Sequence, residues 1–235
     1  MIQKSKSLEK LLYQFTHLPL GQKTIRCPYW KNKIERKIFG PYGGKGTPLQ
    51  ITDATYLVAK RDKIDLGKLS KSEIIKFMKA KKIGIDCSGF IYQMLDALDK
   101  ENEGKGINQK AIGVNGFGIT KTNADCLTNK NNSFAIETIS EIRIGDLIRL
   151  KQGNHVVIII QIKKKNNKIE DLTYAHSSPK TRISGVHTGK IKILDQKNPI
   201  NKQLWLEKLN DGSVFVDKYL NYHQRDGVRR LIWNK

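Results

Sequence analysis

The chain has 235 residues, of which 38% are hydrophobic and 8% aromatic, enough for one substantial core. It carries 43 Lys and Arg against 22 Asp and Glu, a formal net charge of +21 at pH 7. This charge would attract polyanions such as envelope polymers or nucleic acid. The basic residues are spread along the chain without an arginine-rich patch or an aromatic nucleic-acid motif, so nucleic acid is the less favoured partner. No stretch approaches the roughly 20 apolar residues that cross a bilayer, so we expect no transmembrane segment.

The N-terminal half predicts helices joined by loops. An amphipathic pattern around Leu8 to Phe15 predicts a first helix, and we expect residues 1–20 to form a helical extension ahead of one domain over 21–235. A second helix is predicted over Ser70 to Lys81, because Ser70 and Glu73 have the spacing of a capping box.

A cysteine stands at the predicted start of the next helix. Asp86-Cys87-Ser88-Gly89-Phe90 leads directly into a run with helical spacing of apolar residues up to Leu98. Asp86 is a natural N-cap, and a Cys at a helix start lies at the positive end of the helix dipole. That position favours the thiolate, the reactive form, so we interpret Cys87 as an activated nucleophile. The alternative is a buried structural cysteine.

Two histidines lie on a predicted hairpin farther along the chain. His155 begins an apolar, β-rich run that follows Gly145-Asp146-Leu147 and Gly153-Asn154. A polar turn over 163–168 precedes a returning strand that ends at His176. Without a bulge the two histidines are equidistant from the turn centre between Lys165 and Asn166, so we expect them to face each other on one side of the hairpin. A nucleophilic cysteine needs such an imidazole as its base, and a third polar group to orient that imidazole.

These motifs resemble the NlpC-type cell-wall cysteine peptidases. The resemblance rests on Asp-Cys-Ser-Gly-Phe at Cys87, on His155 after Gly-Asp-Leu and Gly-Asn, and on Tyr-Ala-His-Ser at His176. It covers roughly Ile83 to Ser178 and the closing strand over 227–232. It implies a papain-like fold in which the Cys-bearing helix packs on a small antiparallel sheet that carries both histidines. It also implies cleavage of amide bonds in peptidoglycan stem peptides.

The chain departs from that family in two places. The family carries Pro-Tyr and aromatic-Gly-Gly shortly before the cysteine, whereas here these fragments lie far upstream, as Pro28-Tyr29 and as Tyr42-Gly43-Gly44. We favour Tyr29 as the aromatic residue beside the nucleophile, with Tyr42 or a purely packing role for Tyr29 as alternatives. The Gly-, Asn- and Lys-rich stretch from about 101 to 133 reads as an inserted loop that could wall the substrate groove.

The second half predicts mainly strands. They are expected near 144–150, 155–163, 169–176, 190–194, 213–217 and 227–233, with surface connections or a short helix over Trp205–Lys208 and Asp217–Tyr222. A block of helices followed by a block of antiparallel strands is an α+β architecture.

The resemblance and the residues together imply acyl transfer through a thioester. Cys87 attacks the amide carbon, His155 moves the proton, and His176 holds the His155 ring in the useful tautomer. Asp86 and Ser88 are assigned to support of the cysteine loop. We expect this reaction to need no cofactor and no metal. His155, His176 and His187 could in principle bind a metal, but His187 is expected in a loop.

The three cysteines at 27, 87 and 126 do not make a disulfide framework, and we expect Cys27 and Cys126 to be unpaired. The expected partners are peptidoglycan peptides and anionic envelope polymers, and the expected state is a monomer. The predicted function favours the cell envelope or secretion, although residues near the N-terminus show no signal core and leave the location open. Three alternatives remain: an inactive papain-like binding module, a basic nucleic-acid-associated protein, and an acyltransferase or thioesterase that shares the triad.

Overall fold

A computed structural model describes residues 1–220 and 225–233 as an α+β structure. The helices of this part are α1 (Lys6–Thr16), α2 (Pro48–Arg61), α3 (Lys71–Ala80), α4 (Cys87–Glu101), α5 (Ala124–Thr128) and α6 (Phe215–Tyr219). The strands are β1 (Ile2–Lys4), β2 (Leu18–Leu20), β3 (Lys23–Ile25), β4 (Ile112–Gly113), β5 (Gly116–Phe117), β6 (Ser133–Ala135), β7 (Leu147–Leu150), β8 (His155–Lys165), β9 (Lys168–Ser178), β10 (Gly185–Lys192), β11 (Leu204–Trp205) and β12 (Gly227–Leu231). Among the described helices, none has the length and apolarity that a bilayer span demands.

Local capping signals fix where the helices begin. The predicted capping box of α3 is confirmed, with the Ser70 hydroxyl accepting from the Glu73 N–H and the Glu73 carboxylate accepting from the Ser70 N–H. Thr47 and Gln50 form a second capping box that starts α2, a helix to which the sequence analysis gave no bounds. The predicted first helix is confirmed as α1, which Ser5 caps.

The main sheet is antiparallel and its strand order is β11-β10-β9-β8-β7-β12-β6. Strands β8 and β9, with 11 residues each, are the longest strands of this sheet. Strand β8 also pairs with β1 along Gln161–Lys163. The predicted hairpin of β8 and β9 is therefore confirmed, and it forms the centre of the sheet.

Alternation along the central strands separates two hydrophobic clusters. Val156 and Ile158 point to the side covered by α1 and α4, where Phe15, Phe90 and Met94 are fully buried. Val157 and Ile159 point to the other side, which Trp205, Phe215 and Tyr219 cover. The sheet is thus buried on both faces, which explains the continuous apolar run of β8.

Several sequence-based boundaries are wrong. The segment expected as a strand over 213–217 contains the start of helix α6, and Trp205 is a buried strand residue instead of a surface connection. Strand β10 begins at Gly185, so His187 lies in a strand and not in a loop. Of the surface connection or short helix expected over Asp217–Tyr222, the structure shows the short helix over 217–219, where Tyr219 is buried, and residues 221–222 lie outside the described residues.

Two segments that the sequence set apart contribute to the core. Leu8 and Phe15 of α1 are fully buried in the cluster that contains α4. The stretch over 101–133 contains β4, β5 and α5, and its residues Ile107 and Leu127 are also fully buried in that cluster. The proposed division at residue 20 stays a prediction.

Candidate active site

Cys87 is the first residue of α4, as the sequence predicted. The Asp86 side chain caps the helix by accepting from the Gly89 N–H at 2.6 Å, and it also accepts from the Ser88 hydroxyl at 2.9 Å. The Lys45 ammonium donates to Asp86 Oδ1 at 3.0 Å, to Ser88 Oγ at 2.5 Å and to the Thr122 carbonyl at 3.2 Å. Asp86 and Ser88 therefore support the cysteine loop. Lys45 is a third residue that supports the cysteine loop, and sequence reasoning missed it because no local pattern links it to Asp86.

The two upstream fragments meet at the residues before Cys87. The Ile85 N–H donates to the Pro28 carbonyl at 3.0 Å, and the Asp86 N–H donates to the Gly44 carbonyl at 2.9 Å. Gly44 has φ +79°, and a Cβ there would lie 2.4 Å from the Trp30 carbonyl oxygen, so this close approach requires glycine. Segments far apart in sequence are thereby fixed on either side of the Cys87 loop.

Tyr29 lies beside the cysteine, whereas Tyr42 is half exposed. Tyr29 pairs in a parallel bridge with Ile85, and burial first, then Cys87 and Asp86, raise the pKa of its hydroxyl. Tyr42 is 49% exposed and has a left-handed backbone conformation at φ 55°. Of the two tyrosines that the sequence offered, Tyr29 is the one that bridges to Ile85, two residues before Cys87.

The Cys87 thiol is buried, and its charge state differs from the sequence-based expectation. It is only 7% exposed, and burial followed by the Asp86 charge raises its pKa to about 12, although Lys45, the Ser88 backbone and Lys31 act in the opposite direction. The helix start therefore does not make a free thiolate in this conformation. A reaction at Cys87 has to remove the thiol proton as the sulfur attacks.

The two predicted histidines lie together on one face of the β8–β9 hairpin. His155 Nε2 and His176 Nδ1 are 2.8 Å apart, and both rings are buried. The expected direct opposition is wrong, because Ile158 pairs with Ala175 and Ile159 with Tyr174, which shifts the register by two residues. A shift of two keeps the side chains on the same face, so the rings still meet diagonally.

His187 and Glu207 extend the cluster beyond the predicted pair. His187 is the residue directly opposite His176 in the β9–β10 ladder, and their Nε2 atoms are 2.9 Å apart. Glu207 Oε1 lies 3.0 Å from His176 Nε2 and 2.6 Å from His187 Nε2. Burial alone would raise the pKa of Glu207, but His176 and His187 outweigh it and hold the pKa well below its ordinary value. Burial lowers the pKa of both His155 and His176, so these two rings are neutral near pH 7.

Neutral rings and an ionised Glu207 determine one set of proton positions. A carboxylate only accepts, so His176 Nε2–H donates to Glu207 and His176 Nδ1 accepts from His155 Nε2–H. His155 Nδ1 then carries the lone pair that is left for a proton from another group. This is the tautomer that a general base needs.

Two aromatic residues of α6 complete the environment of His155. The Tyr219 ring packs edge-on against His155 at 5.3 Å, and the Phe215 ring does so at 5.9 Å. The Tyr219 hydroxyl shares a hydrogen bond with Ser178, and burial first, then Cys87, raise its pKa. Tyr219 thus contacts His155, and a thiolate at Cys87 would raise the pKa of its hydroxyl. Among the described residues, no hydrogen bond joins Cys87 directly to His155 in this conformation. The sequence analysis missed it because this segment carries no recognisable motif.

A cavity of 680 Å³ lies next to Tyr29. Its wall continues through residues 30–36 to Lys79, Pro179 and Ser184. Lys31 belongs to this wall and also acts to lower the pKa of Cys87, whereas Cys87 is not among the residues that line the cavity. Four basic residues, Lys31, Lys33, Arg36 and Lys79, and one acidic residue, Glu35, line the cavity.

Comparison with protein-family profiles, with curated proteins and with solved structures finds no match to this chain. The chemistry of the site therefore has to be inferred from its own geometry.

Proposed function

We propose that this protein is a papain-like cysteine hydrolase of the NlpC type that cleaves amide bonds in peptidoglycan stem peptides. The observation that carries the proposal is the combination of a cysteine at the start of α4 with a buried His155–His176–Glu207 chain on the sheet. A nucleophile, a base and a group that orients the base are the parts that acyl transfer through cysteine requires. The resemblance of the Cys87, His155 and His176 motifs to that family supplies the substrate class.

In the proposed reaction, His155 Nδ1 takes the proton from the Cys87 thiol while the sulfur attacks the amide carbon. General-base removal in the same step suits a thiol with a pKa near 12, which holds almost no thiolate at rest. Backbone N–H groups at the start of α4 would stabilise the oxyanion. His155 then returns the proton to the leaving amine, and water releases the acyl group from the thioester.

The charge of the neighbouring cavity supports an anionic peptide as substrate. Its wall has a basic excess, and Tyr29 and Lys31 connect it to the electrostatic environment of Cys87. The overall charge of +21 would favour encounter with anionic envelope polymers. A peptide with free carboxylates, such as a stem peptide, complements this wall.

The test is incubation of the purified protein with peptidoglycan digests, followed by mass analysis of the products. We expect a mass gain of one water per cleaved amide, complete loss of cleavage in Cys87→Ala, and a reduced but measurable rate in His176→Ala. Circular dichroism of Cys87→Ala should match the parent, because a smaller side chain replaces a thiol at a capped helix start. Undiminished cleavage by Cys87→Ala would refute the mechanism. Absence of cleavage by the parent across digests would favour a binding module that lacks turnover.

A further inference from the structure

The three atoms His176 Nε2, His187 Nε2 and Glu207 Oε1 converge on one point between β9, β10 and the segment after β11. Their separations are 2.9, 3.0 and 2.6 Å, and all three side chains are at most 7% exposed. Such a compact set of two imidazoles and one carboxylate needs a physical explanation. Polar side chains buried this deeply are normally paired by hydrogen bonds that their protons can satisfy.

With one ring proton on each histidine, one contact in this set would join two hydrogen-bond acceptors. His187 Nδ1 lies 2.8 Å from the Gly185 carbonyl, which only accepts, so Nδ1 carries a ring proton. If that is the only proton on the ring, the Nε2 lone pair faces the carboxylate oxygen of Glu207 at 2.6 Å. Two lone pairs at that distance repel each other unless a positive charge lies between them. The cluster therefore requires a cation, which is either an additional proton or a metal ion.

We propose that His176, His187 and Glu207 form a binding site for a divalent transition-metal ion of the zinc type. Two histidines and one glutamate are a known three-ligand set for zinc, with a fourth position left for water. Tetrahedral bonds of 2.0–2.1 Å place neighbouring ligand atoms about 3.3 Å apart. The three atoms would have to separate by less than about 1 Å to accept the ion.

The groups behind the ligands are those that a metal site uses. His187 is oriented through Nδ1 by the Gly185 carbonyl, and His176 through Nδ1 by His155. The other carboxylate oxygen of Glu207 accepts from the Tyr174 hydroxyl. Such outer partners fix the orientation of the ligands. A cavity of 330 Å³ whose wall includes His187 and Glu207 gives a route for the ion.

Metal binding at this point would switch off the chemistry of His155, and this consequence rests on the proposed function. A metal on His176 Nε2 moves the ring proton to Nδ1, which then donates to His155 Nε2. The His155 proton is consequently on Nδ1, where the lone pair for the Cys87 proton would be. The bound ion therefore inhibits by imposing the wrong tautomer without touching Cys87.

Metal binding is measured with Zn²⁺ by calorimetry and with Co²⁺ by visible absorption, on the whole chain. We expect one equivalent, intense four-coordinate Co²⁺ bands and no sulfur-to-cobalt charge-transfer band. His187→Ala should weaken binding more than about 100-fold, whereas Tyr174→Phe, which removes an outer partner, should cost about 10–100-fold. His17→Ala is the matched control, because His17 is exposed and outside the cluster. Circular dichroism of each variant verifies that the fold persists.

Cys87→Ala separates this site from metal capture at the nucleophile. The proposal predicts that Cys87→Ala binds zinc as tightly as the parent does. It also predicts that zinc lowers the hydrolysis rate of the parent, whereas the rate of His187→Ala is the same with and without zinc. Stoichiometric binding that is lost in Cys87→Ala and kept in His187→Ala would overturn the proposal. The proposal would also be overturned if the parent protein bound zinc no more tightly than His187→Ala does. The binding results stand even if the protein hydrolyses no peptide, so they fail separately from the proposed function.

Discussion

The pair of Asp86 and Lys45 offers a quantitative test of how the cysteine loop is held. Their side chains are 7% and 13% exposed, and Asp86 combines an ion pair to Lys45 with the N-cap of α4. Loss of an N-cap costs about 1 kcal/mol. Removal of one partner of a buried ion pair costs about 3 kcal/mol at the lower end of the usual range. The lower end applies here because Lys45 keeps Ser88 Oγ and the Thr122 carbonyl as acceptors.

We therefore expect Asp86→Ala to lower the free energy of unfolding by about 4 kcal/mol. Asp86→Asn should lower it by about 3 kcal/mol, because an asparagine keeps the cap and loses only the charge. In a Lys45→Met background the Asp86→Asn change should cost less than about 1 kcal/mol, since no buried ammonium is left unpaired. The parent, Asp86→Asn, Lys45→Met and the double variant form a double-mutant cycle that measures the ion pair separately from the cap.

The assay is urea unfolding followed by tryptophan fluorescence, with the slope against urea held constant across the set. The chain has three tryptophans, and Trp30 lies in the segment that pairs with Ile85. A loss below about 1 kcal/mol for Asp86→Asn in the parent background would refute the reasoning. So would an equal loss with and without Lys45, because the coupling would then be zero.

Three further outcomes are expected. Arg230→Met should lower the free energy of unfolding by about 3–5 kcal/mol, because the buried Asp146 carboxylate then loses two hydrogen bonds of 2.8 Å. In the same urea assay, adding Asp146→Leu to this variant should restore part of the lost stability. Gly89→Ala should lower the free energy of unfolding by about 1–3 kcal/mol despite the better helix propensity of alanine, because the alanine Cβ would lie 2.4 Å from the Gly44 carbonyl oxygen. A gain in stability would show that this backbone contact is not tight. The rate at which iodoacetamide alkylates Cys87 should still rise about tenfold per pH unit at pH 9, since burial raises the pKa of this thiol to about 12. The rate is measured by peptide mass analysis in a Cys27→Ala/Cys126→Ala protein. A plateau of the rate near pH 9 would indicate an ordinary thiol.

The sequence predicted the elements whose signals are local. The Asp86 cap and the start of α4, the Ser70–Glu73 capping box and the β8–β9 hairpin all depend on residues within a few positions of one another. The face shared by His155 and His176 was also predictable, because side chains alternate with a period of two. The register was not, since irregular pairing between Ile159 and Gln161 and between Lys163 and Lys164 has no marker in the sequence.

The remaining site residues depend on contacts that only the tertiary structure defines. Lys45 reaches Asp86 across the chain, and Glu207 reaches His176 from the segment after β11. His187 had a usable signal, because alternation over Val186–Ile191 extends the predicted strand backwards to include it. Tyr219 had no motif, although the short helix offered as an alternative over Asp217–Tyr222 covers it; the predicted strand over 213–217 concealed where that helix begins.

The bonds that fix the Cys87 loop also bear on when a working site can exist during folding. The Pro28 carbonyl, the Gly44 carbonyl and the Ser177 hydroxyl all bond to the two residues before Cys87, and each comes from a distant part of the chain. Contacts of such long sequence separation form late, because they must overcome the entropy of closing large loops. A nascent or partly collapsed chain would therefore hold the Cys87 sulfur without these fixed backbone contacts. The proposed reaction at Cys87 would accordingly require the completed fold.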